Sequence, residues 1–261
     1  MKILAVGDTH GDETPLSIVK DHIDEVEKVI FHGDYADSFD SRWPQQKEVL
    51  EKILDFKFEN SDKVDLLWGN HDHAYISDPH VSGHQNTFAH DMREFFLKYL
   101  PYFQIVSVYD KWIFSHAGVS GIWMERYLKN FADDGNPKTE PLKVDEINRV
   151  FAQKYWSVFD HLSLNPYGDS EEEGPLWIRP HALLHSGVTG YNQCVGHTEV
   201  VADASSDDRI ISLDKIIKGS ARMQYGESLY QKYVLIDSRA RDIYAIIDTN
   251  TNEVAIERHK E

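Results

Sequence analysis

Three short apolar runs, at 3–6, 29–32 and 64–68, each give way to a glycine followed by Asp or Asn: Gly7-Asp8, Gly33-Asp34 and Gly69-Asn70. Helical patterns separate the runs. Strands of near-continuous apolar character are buried on both faces, as in a parallel sheet with helical crossovers. The order strand, helix, strand, helix, strand therefore predicts an α/β beginning. Ligands in such sheets gather beyond the carboxyl ends of the strands, and all three junctions fall there.

The patterns between and after these runs fill in the expectation. Thr14 caps and Pro15 opens a helix running to about residue 27, with Leu16, Val19, Ile23 and Val26 on one face. Pro44 opens a second helix, with Val49, Leu50, Ile53 and Leu54 facing inward. Residues 73–90 carry His73, His80, His84 and His90 and read as a solvated loop leading into a helix at 92–99. Strands are expected at 103–108 and 112–115, a linker at 131–143, a helix at 144–161 and an acidic loop at 163–174. Further strands are expected at 209–213, 232–236, 243–248 and 253–257.

Length and composition set bounds. A chain of 261 residues with 41% hydrophobic content supports a single domain over 1–261 with a sizeable core. The net charge of −17 argues against a grip on nucleic-acid backbone, which needs clustered Lys and Arg. Cys194 is the only cysteine, so an internal disulfide and a Cys-based zinc site are excluded. It reads as a buried strand residue. The opening apolar run is too short for a signal-peptide core and no stretch is long enough to span a membrane, so a cytosolic chain is expected.

Five short strings carry the chemistry: Gly-Asp-Thr-His-Gly at 7–11, Gly-Asp-Tyr-Ala-Asp at 33–37, Gly-Asn-His-Asp at 69–72, His-Ala-Gly at 116–118 and Gly-His-Thr at 196–198. At an extended strand end, Asp8 and His10 point the same way and reach one metal. The two oxygens of Asp34 can bridge two cations. Asn70 offers a neutral oxygen where carboxylates already crowd. Taken singly, each has a plainer reading: a turn or helix cap for Asp34 or Asp37, a packed imidazole for His116 or His197. Together they point to a dinuclear metal centre without thiolate ligands, and such a centre points to phosphate-ester hydrolysis.

The order and spacing of these strings resemble the calcineurin-like metallophosphoesterase superfamily, particularly its serine/threonine phosphoprotein-phosphatase branch. The resemblance implies a four-layered α/β/β/α sandwich, two mixed sheets flanked by helices. It implies that Asp8 and His10 bind one metal, that Asp34 bridges, and that Asn70, His116 and His197 bind the second. The cofactors are then two divalent ions that lower the pKa of water and neutralise developing charge, Mn being expected and Fe or Zn also suiting mixed O/N donors. His71 is implied as the general acid, oriented by Asp37.

The substrate implied is a phosphorylated protein or small phosphoester; a dinucleoside polyphosphate or diester is the enzymatic alternative, and an inactive metal-binding scaffold the non-enzymatic one. One departure stands out. Where the phosphoprotein phosphatases continue the second string with a phosphate-clamping Arg-Gly, this chain has Ser38-Phe39. Arg42 lies four residues on, but a surface role is the plainer reading. Arg179, in Leu176-Trp177-Ile178-Arg179, resembles a second phosphate-binding Arg of the same branch.

Overall fold

The computed structural model describes residues 1–77, 81–128, 145–162, 170–199, 222–224, 227–229, 231–237 and 241–259. The chain begins with β1 (Lys2–Val6), α1 (Thr14–His22), β2 (Lys28–Phe31), α2 (Trp43–Glu59), β3 (Val64–Leu67), α3 (Asn70–Ser77) and α4 (Ala89–Tyr99). It continues through β4 (Phe103–Gln104), β5 (Val106–Tyr109), β6 (Trp112–Ser115), α5 (Gly121–Trp123), α6 (Asp145–Ala152), α7 (Pro180–Ser186) and β7 (Asn192–Val195). A small hairpin, β8 (Arg222–Gln224) with β9 (Glu227–Leu229), precedes β10 (Tyr233–Leu235), β11 (Ile243–Asp248) and β12 (Glu253–Arg258).

Two mixed sheets result. The larger has the order β12-β11-β1-β2-β3-β4 and the smaller β10-β7-β6-β5. β1 to β4 run parallel, and β11 closes on β1 antiparallel with Val6 opposite Tyr244. In the smaller sheet β6, β7 and β10 are parallel and β5 is antiparallel to β6.

Side-chain alternation decides what each face meets. Ile3, Ala5 and Ile30 of the larger sheet pack against Trp112, Phe114 and Cys194 of the smaller. Leu4, Val6, Val29 and Phe31 point the other way, into a cluster with Leu16 and Val19 of α1 and Leu50 and Ile53 of α2. On the far side, Ala182 and Leu183 of α7 cover Val195 and Leu235. The layers are helix, sheet, sheet, helix, as the resemblance implied. Two polar ties, one of them buried, join the sheets. His32 lies 3.0 Å from the carbonyls of both Val6, at the end of β1, and Cys194, within β7. Asp65 of β3 accepts from Ser107 and Tyr109 of β5 at 2.7 and 2.8 Å.

Several expectations need correction. Helix α1 stops at His22, not near 27, because the chain turns away and the Glu27 amide bonds the Lys2 carbonyl of β1 at 2.9 Å. The Thr14 amide is bound by the Asp12 carboxylate at 2.8 Å, so Thr14 is the first helical residue, not the cap. Residues 73–77 are helical, and His73 is buried rather than solvated. Its ring accepts from the Trp68 indole at 3.3 Å and faces Asp160 at 3.0 Å. The helix expected at 144–161 ends at Ala152, with a separate single turn at Trp156–Phe159. Glu173 of the acidic loop is fully buried and accepts from the Leu162 amide at 3.2 Å. The linker at 131–143, the strand at 209–213 and His80 lie outside the described residues.

Phe114 is fully enclosed between the sheets. Phe114→Ala is expected to cost about 3–5 kcal/mol in denaturant unfolding, the range for an aromatic removed from a core. A loss under about 1 kcal/mol, the ordinary point-mutant effect, would show that the inter-sheet layer is not close-packed there.

Candidate metal centre

The carboxyl ends of β1, β2 and β3, and those of β6 and β7, open onto one place. The loops leaving them, and the first residue of α3 after β3, bring Asp8, His10, Asp34, Asn70, His116 and His197 together. Asp34 lies at the middle. Its Oδ2 is 3.7 Å from His10 Nε2, 3.4 Å from His116 Nε2 and 4.0 Å from His71 Nε2. Asp8 Oδ1 is 3.8 Å from His116 Nδ1, and its two oxygens accept the His197 amide at 3.0 and 3.1 Å. Asn70 Oδ1 lies 2.8 Å from His116 Nε2 and 3.0 Å from His197 Nδ1.

Partners behind the site set the tautomers. His10 Nδ1 donates to the Ala36 carbonyl at 2.6 Å, and His116 Nδ1 donates to the His32 carbonyl at 2.7 Å. Each neutral ring therefore turns a lone-pair Nε2 toward Asp34, and His116 also toward the Asn70 oxygen. Acceptors facing acceptors repel unless a cation lies among them. Asp8, Asp34 and His116 form one group able to hold an ion, and His10, Asp34 and His71 another.

The electrostatics agree. Burial pushes His10 down to about 4, keeping its nitrogen lone pair available. Burial also lowers His116 and His197. Asp8 is pushed well up by burial and then by Asp237 and Asp34. Burial would raise Asp34 as well, but His116, His71 and His10 outweigh it and the carboxyl ends below its ordinary value. A buried anion crowded by other carboxylates and neutral imidazoles suits hard divalent cations.

Local backbone form aims these groups. His10, Asp34, Asp37 and His197 have φ of 45°, 50°, 62° and 61°, the left-handed region that non-glycine residues seldom enter. Asp8 and His10 therefore do not converge by extended-strand alternation; His10 reaches the site through a left-handed turn. Two glycines leave room for a neighbouring string. A Cβ on Gly69 would lie 2.1 Å from Asp34 Oδ1, and one on Gly196 would lie 2.2 Å from Asp8 Oδ1.

His71 stands at the rim. Its Nδ1 is 3.0 Å from Asp37 Oδ2, and Tyr75 donates its hydroxyl to the other Asp37 oxygen. Burial pushes the ring's pKa down, but Asp34 and Asp37 pull harder and leave it above the ordinary value. Arg179 caps α7 and donates to the His197 carbonyl at 3.3 Å and to Thr198 Oγ1 at 3.1 Å. Ser38 does not replace the missing arginine; its hydroxyl accepts the Asp40 and Ser41 amides in a local turn. Arg42 is exposed at the start of α2, its amide bound to Gln45 at 3.2 Å.

Two acidic residues were missed by sequence reasoning. Asp72 is buried and holds the second and third strings together, accepting from the Tyr35, Ala36 and Gly69 amides at 2.9, 3.2 and 3.1 Å. Asp237 follows β10 and backs Gly7; burial and Asp34 raise its carboxyl to about 7. Its signal was present, since the apolar run at 232–236 runs into Asp as the earlier ones do.

Imidazole and carboxylate donors gathered at the strand ends of a two-sheet sandwich make a site suited to divalent metal ions. A family model described as calcineurin-like phosphoesterase matches residues 1–204, and the chain belongs to that family. It is thus a phosphoesterase, and the family implies divalent metal ions. Comparison with curated proteins gives no match. Among solved structures, the chain is similar to a cold-active protein-tyrosine phosphatase of a psychrophile Shewanella sp., with 16% identity over 99% of this chain and 80% of that one and a TM-score of 0.58. A further structure of a cold-active protein tyrosine phosphatase shows 17% identity over 99% and 79% of the two chains, with a TM-score of 0.54. At these identities the likeness is one of fold. Among the described residues no helix is long and apolar enough to cross a membrane.

Gly69→Ala drives a methyl group into Asp34. It is expected to weaken Mn²⁺ binding by about 10–100-fold, the range for losing a group that orients a ligand. Calorimetric titration measures this, with circular dichroism confirming the fold. Wild-type Mn²⁺ affinity in the variant would separate Asp34 from the metal site.

Proposed function

We propose that the chain is a phosphomonoesterase whose pocket holds two divalent cations, Mn²⁺ being the expected ion. Asp8, His10 and Asp34 would hold one, and Asp34, Asn70, His116 and His197 the other. The observation that carries this reading is the convergence of lone-pair nitrogens from His10 and His116 on one oxygen of Asp34, at 3.7 and 3.4 Å. Cations in this pocket would supply charge neutralisation and a lowered pKa for bound water.

The chain's own residues do the rest. Arg179, which donates to the His197 carbonyl and the Thr198 hydroxyl beside the cluster, would bind non-bridging phosphate oxygens. His71 presents Nε2 toward the cluster while Nδ1 bonds Asp37, which fixes the ring plane. That geometry suits delivery of a proton from Nε2 to the departing alkoxide oxygen. Tyr75 holds Asp37 in turn. The substrate class proposed is a phosphorylated protein side chain or a small phosphomonoester; the Shewanella protein similar in fold is a protein-tyrosine phosphatase, which makes phosphotyrosine peptide one arm of the test.

The test is turnover by Mn-loaded protein on phosphoserine and phosphotyrosine peptides, nucleoside monophosphates, a dinucleoside polyphosphate and bis-p-nitrophenyl phosphate. Fastest kcat/KM on a monoester supports the reading. Fastest turnover of the diester or polyphosphate replaces it with a phosphodiesterase or polyphosphate hydrolase. Bound metal with no turnover on any ester replaces it with a binding scaffold.

His71→Asn is expected to keep its metal content and to lose about 10²–10⁴-fold in kcat on an alkyl phosphate, the usual worth of general acid catalysis. On p-nitrophenyl phosphate the loss should be far smaller, because nitrophenolate leaves without protonation. Equal losses on both substrates would remove the acid role from His71.

A further inference from the structure

We propose that Tyr75 is the positioning residue of the His71 acid: acting through Asp37, its hydroxyl fixes the plane in which His71 faces the leaving group. The inference rests on the acid role given to His71 in the phosphomonoesterase reading. It adds a residue that none of the five strings contains.

Helix geometry sets up the arrangement. His71 and Tyr75 stand four residues apart on α3, so their side chains leave the same face one turn apart. Asp37 comes from the second string and lies across them. One of its oxygens is 3.0 Å from His71 Nδ1, and the other accepts the Tyr75 hydroxyl. The carboxylate is fully buried, and among the described residues these two side chains are the groups that bond its oxygens. Asp72, by contrast, is held by three backbone amides. An orienting carboxylate is only as fixed as its own partners. Without the hydroxyl, Asp37 would be anchored by the very ring it has to orient.

Tyr75 is itself held from several sides. The Gln85 amide donates to its hydroxyl at 2.9 Å, so that oxygen accepts one hydrogen bond while donating another to Asp37. Its ring lies nearly parallel to that of His84, with centroids 4.5 Å apart and planes at 17°, and to that of Phe96 in α4 at 6.0 Å and 29°. Arg93 of α4 donates to the Tyr75 and Ile76 carbonyls at 3.0 and 2.9 Å and fixes the end of α3. Gln85 is tied in turn to the start of α2, where its side-chain oxygen accepts the Trp43 amide at 2.9 Å. The same segment also backs Asp37 directly, since a Cβ on Gly83 would lie 3.2 Å from the Asp37 carbonyl.

Packing alone does not account for the hydroxyl. A phenylalanine ring would lie equally well against His84 and Phe96; the oxygen serves the Asp37 carboxylate and the Gln85 amide. An acid that delivers its proton to a departing alkoxide has to be aimed, and small misplacements cost rate steeply. A leaving group that needs no proton is insensitive to that aim. The hydroxyl should therefore matter for one kind of ester and not for the other.

The test compares Mn²⁺-loaded wild type, Tyr75→Phe, His71→Asn and the double variant on an alkyl phosphate and on p-nitrophenyl phosphate. Tyr75→Phe is expected to lower kcat on the alkyl ester by about 10–100-fold, the range for losing a group that orients a functional side chain. The loss on p-nitrophenyl phosphate should be far smaller, and Mn²⁺ content should match wild type. In the His71→Asn background the same change should add little on the alkyl ester. Equal losses on the two esters, no loss on either, or a loss that persists in full without His71 would overturn the proposal. If Tyr75→Phe does not fold, His84→Ala, which removes the ring stacked on Tyr75, decides instead: a loss larger on the alkyl ester supports the proposal and any other result overturns it. Proton NMR of Zn²⁺-loaded protein gives a readout without turnover. The His71 Nδ1 proton shared with Asp37, assigned by its disappearance in His71→Asn, should shift or broaden in Tyr75→Phe; an unmoved resonance overturns the proposal. Wild type whose resonance responds in this way yet hydrolyses no ester would defeat the proposed function while leaving the positioning role intact.

Discussion

The Asp34 carboxylate is enclosed by His10, His71 and His116, with Asp8 and the Asn70 oxygen close by. Almost every group turned toward this point is an acceptor. In water such groups would disperse; here strand ends, backbone carbonyls behind the rings and left-handed turns hold them. The stabilisation of that arrangement comes from the two-sheet sandwich, because the pocket itself repels. A protein retains such a cluster where a cation resolves it.

The sandwich is built to bring the cluster together. β1, β2 and β3 deliver three strings along one edge, and β6 and β7 deliver two more from the facing sheet. His32 ties the two edges at Val6 and Cys194. Gly69 and Gly196 let the third and fifth strings touch the carboxylates of the second and first. Asp72 then pins the second string to the third through backbone amides. Beside this anionic centre Arg179 holds the His197–Thr198 turn, and His71 stands at the rim with Asp37 and Tyr75 behind it. Phosphoester hydrolysis follows from the family; the division of labour among these side chains is the proposal.

Much of this was legible because it depends on local pattern. The apolar runs of β1, β2 and β3 are near-continuous since both faces are buried, and that signal survives without tertiary context. Glycine beside Asp, Asn or His marked the strand ends. What escaped depends on contacts distant in sequence. Residues 73–77 carry too little apolar periodicity to announce a helix, and it is the bonds of the buried His73 ring to Trp68 and Asp160 that hold that face inward. Helix α1 stops early because the Lys2 carbonyl captures the Glu27 amide, a pairing invisible from the helix alone. Asp72 was overshadowed by the ligand candidates beside it.

The central claim is that the acceptors around Asp34 exist to hold two cations. Metal content after Mn²⁺ loading and gel filtration tests it most directly, comparing wild type with Asp34→Asn. The account predicts about two Mn²⁺ per wild-type chain and at most about one in the variant, because in it the Asp34 carboxylate would serve both positions. A wild-type chain that retains no divalent metal, or an Asp34→Asn chain that retains as much as wild type, would contradict it.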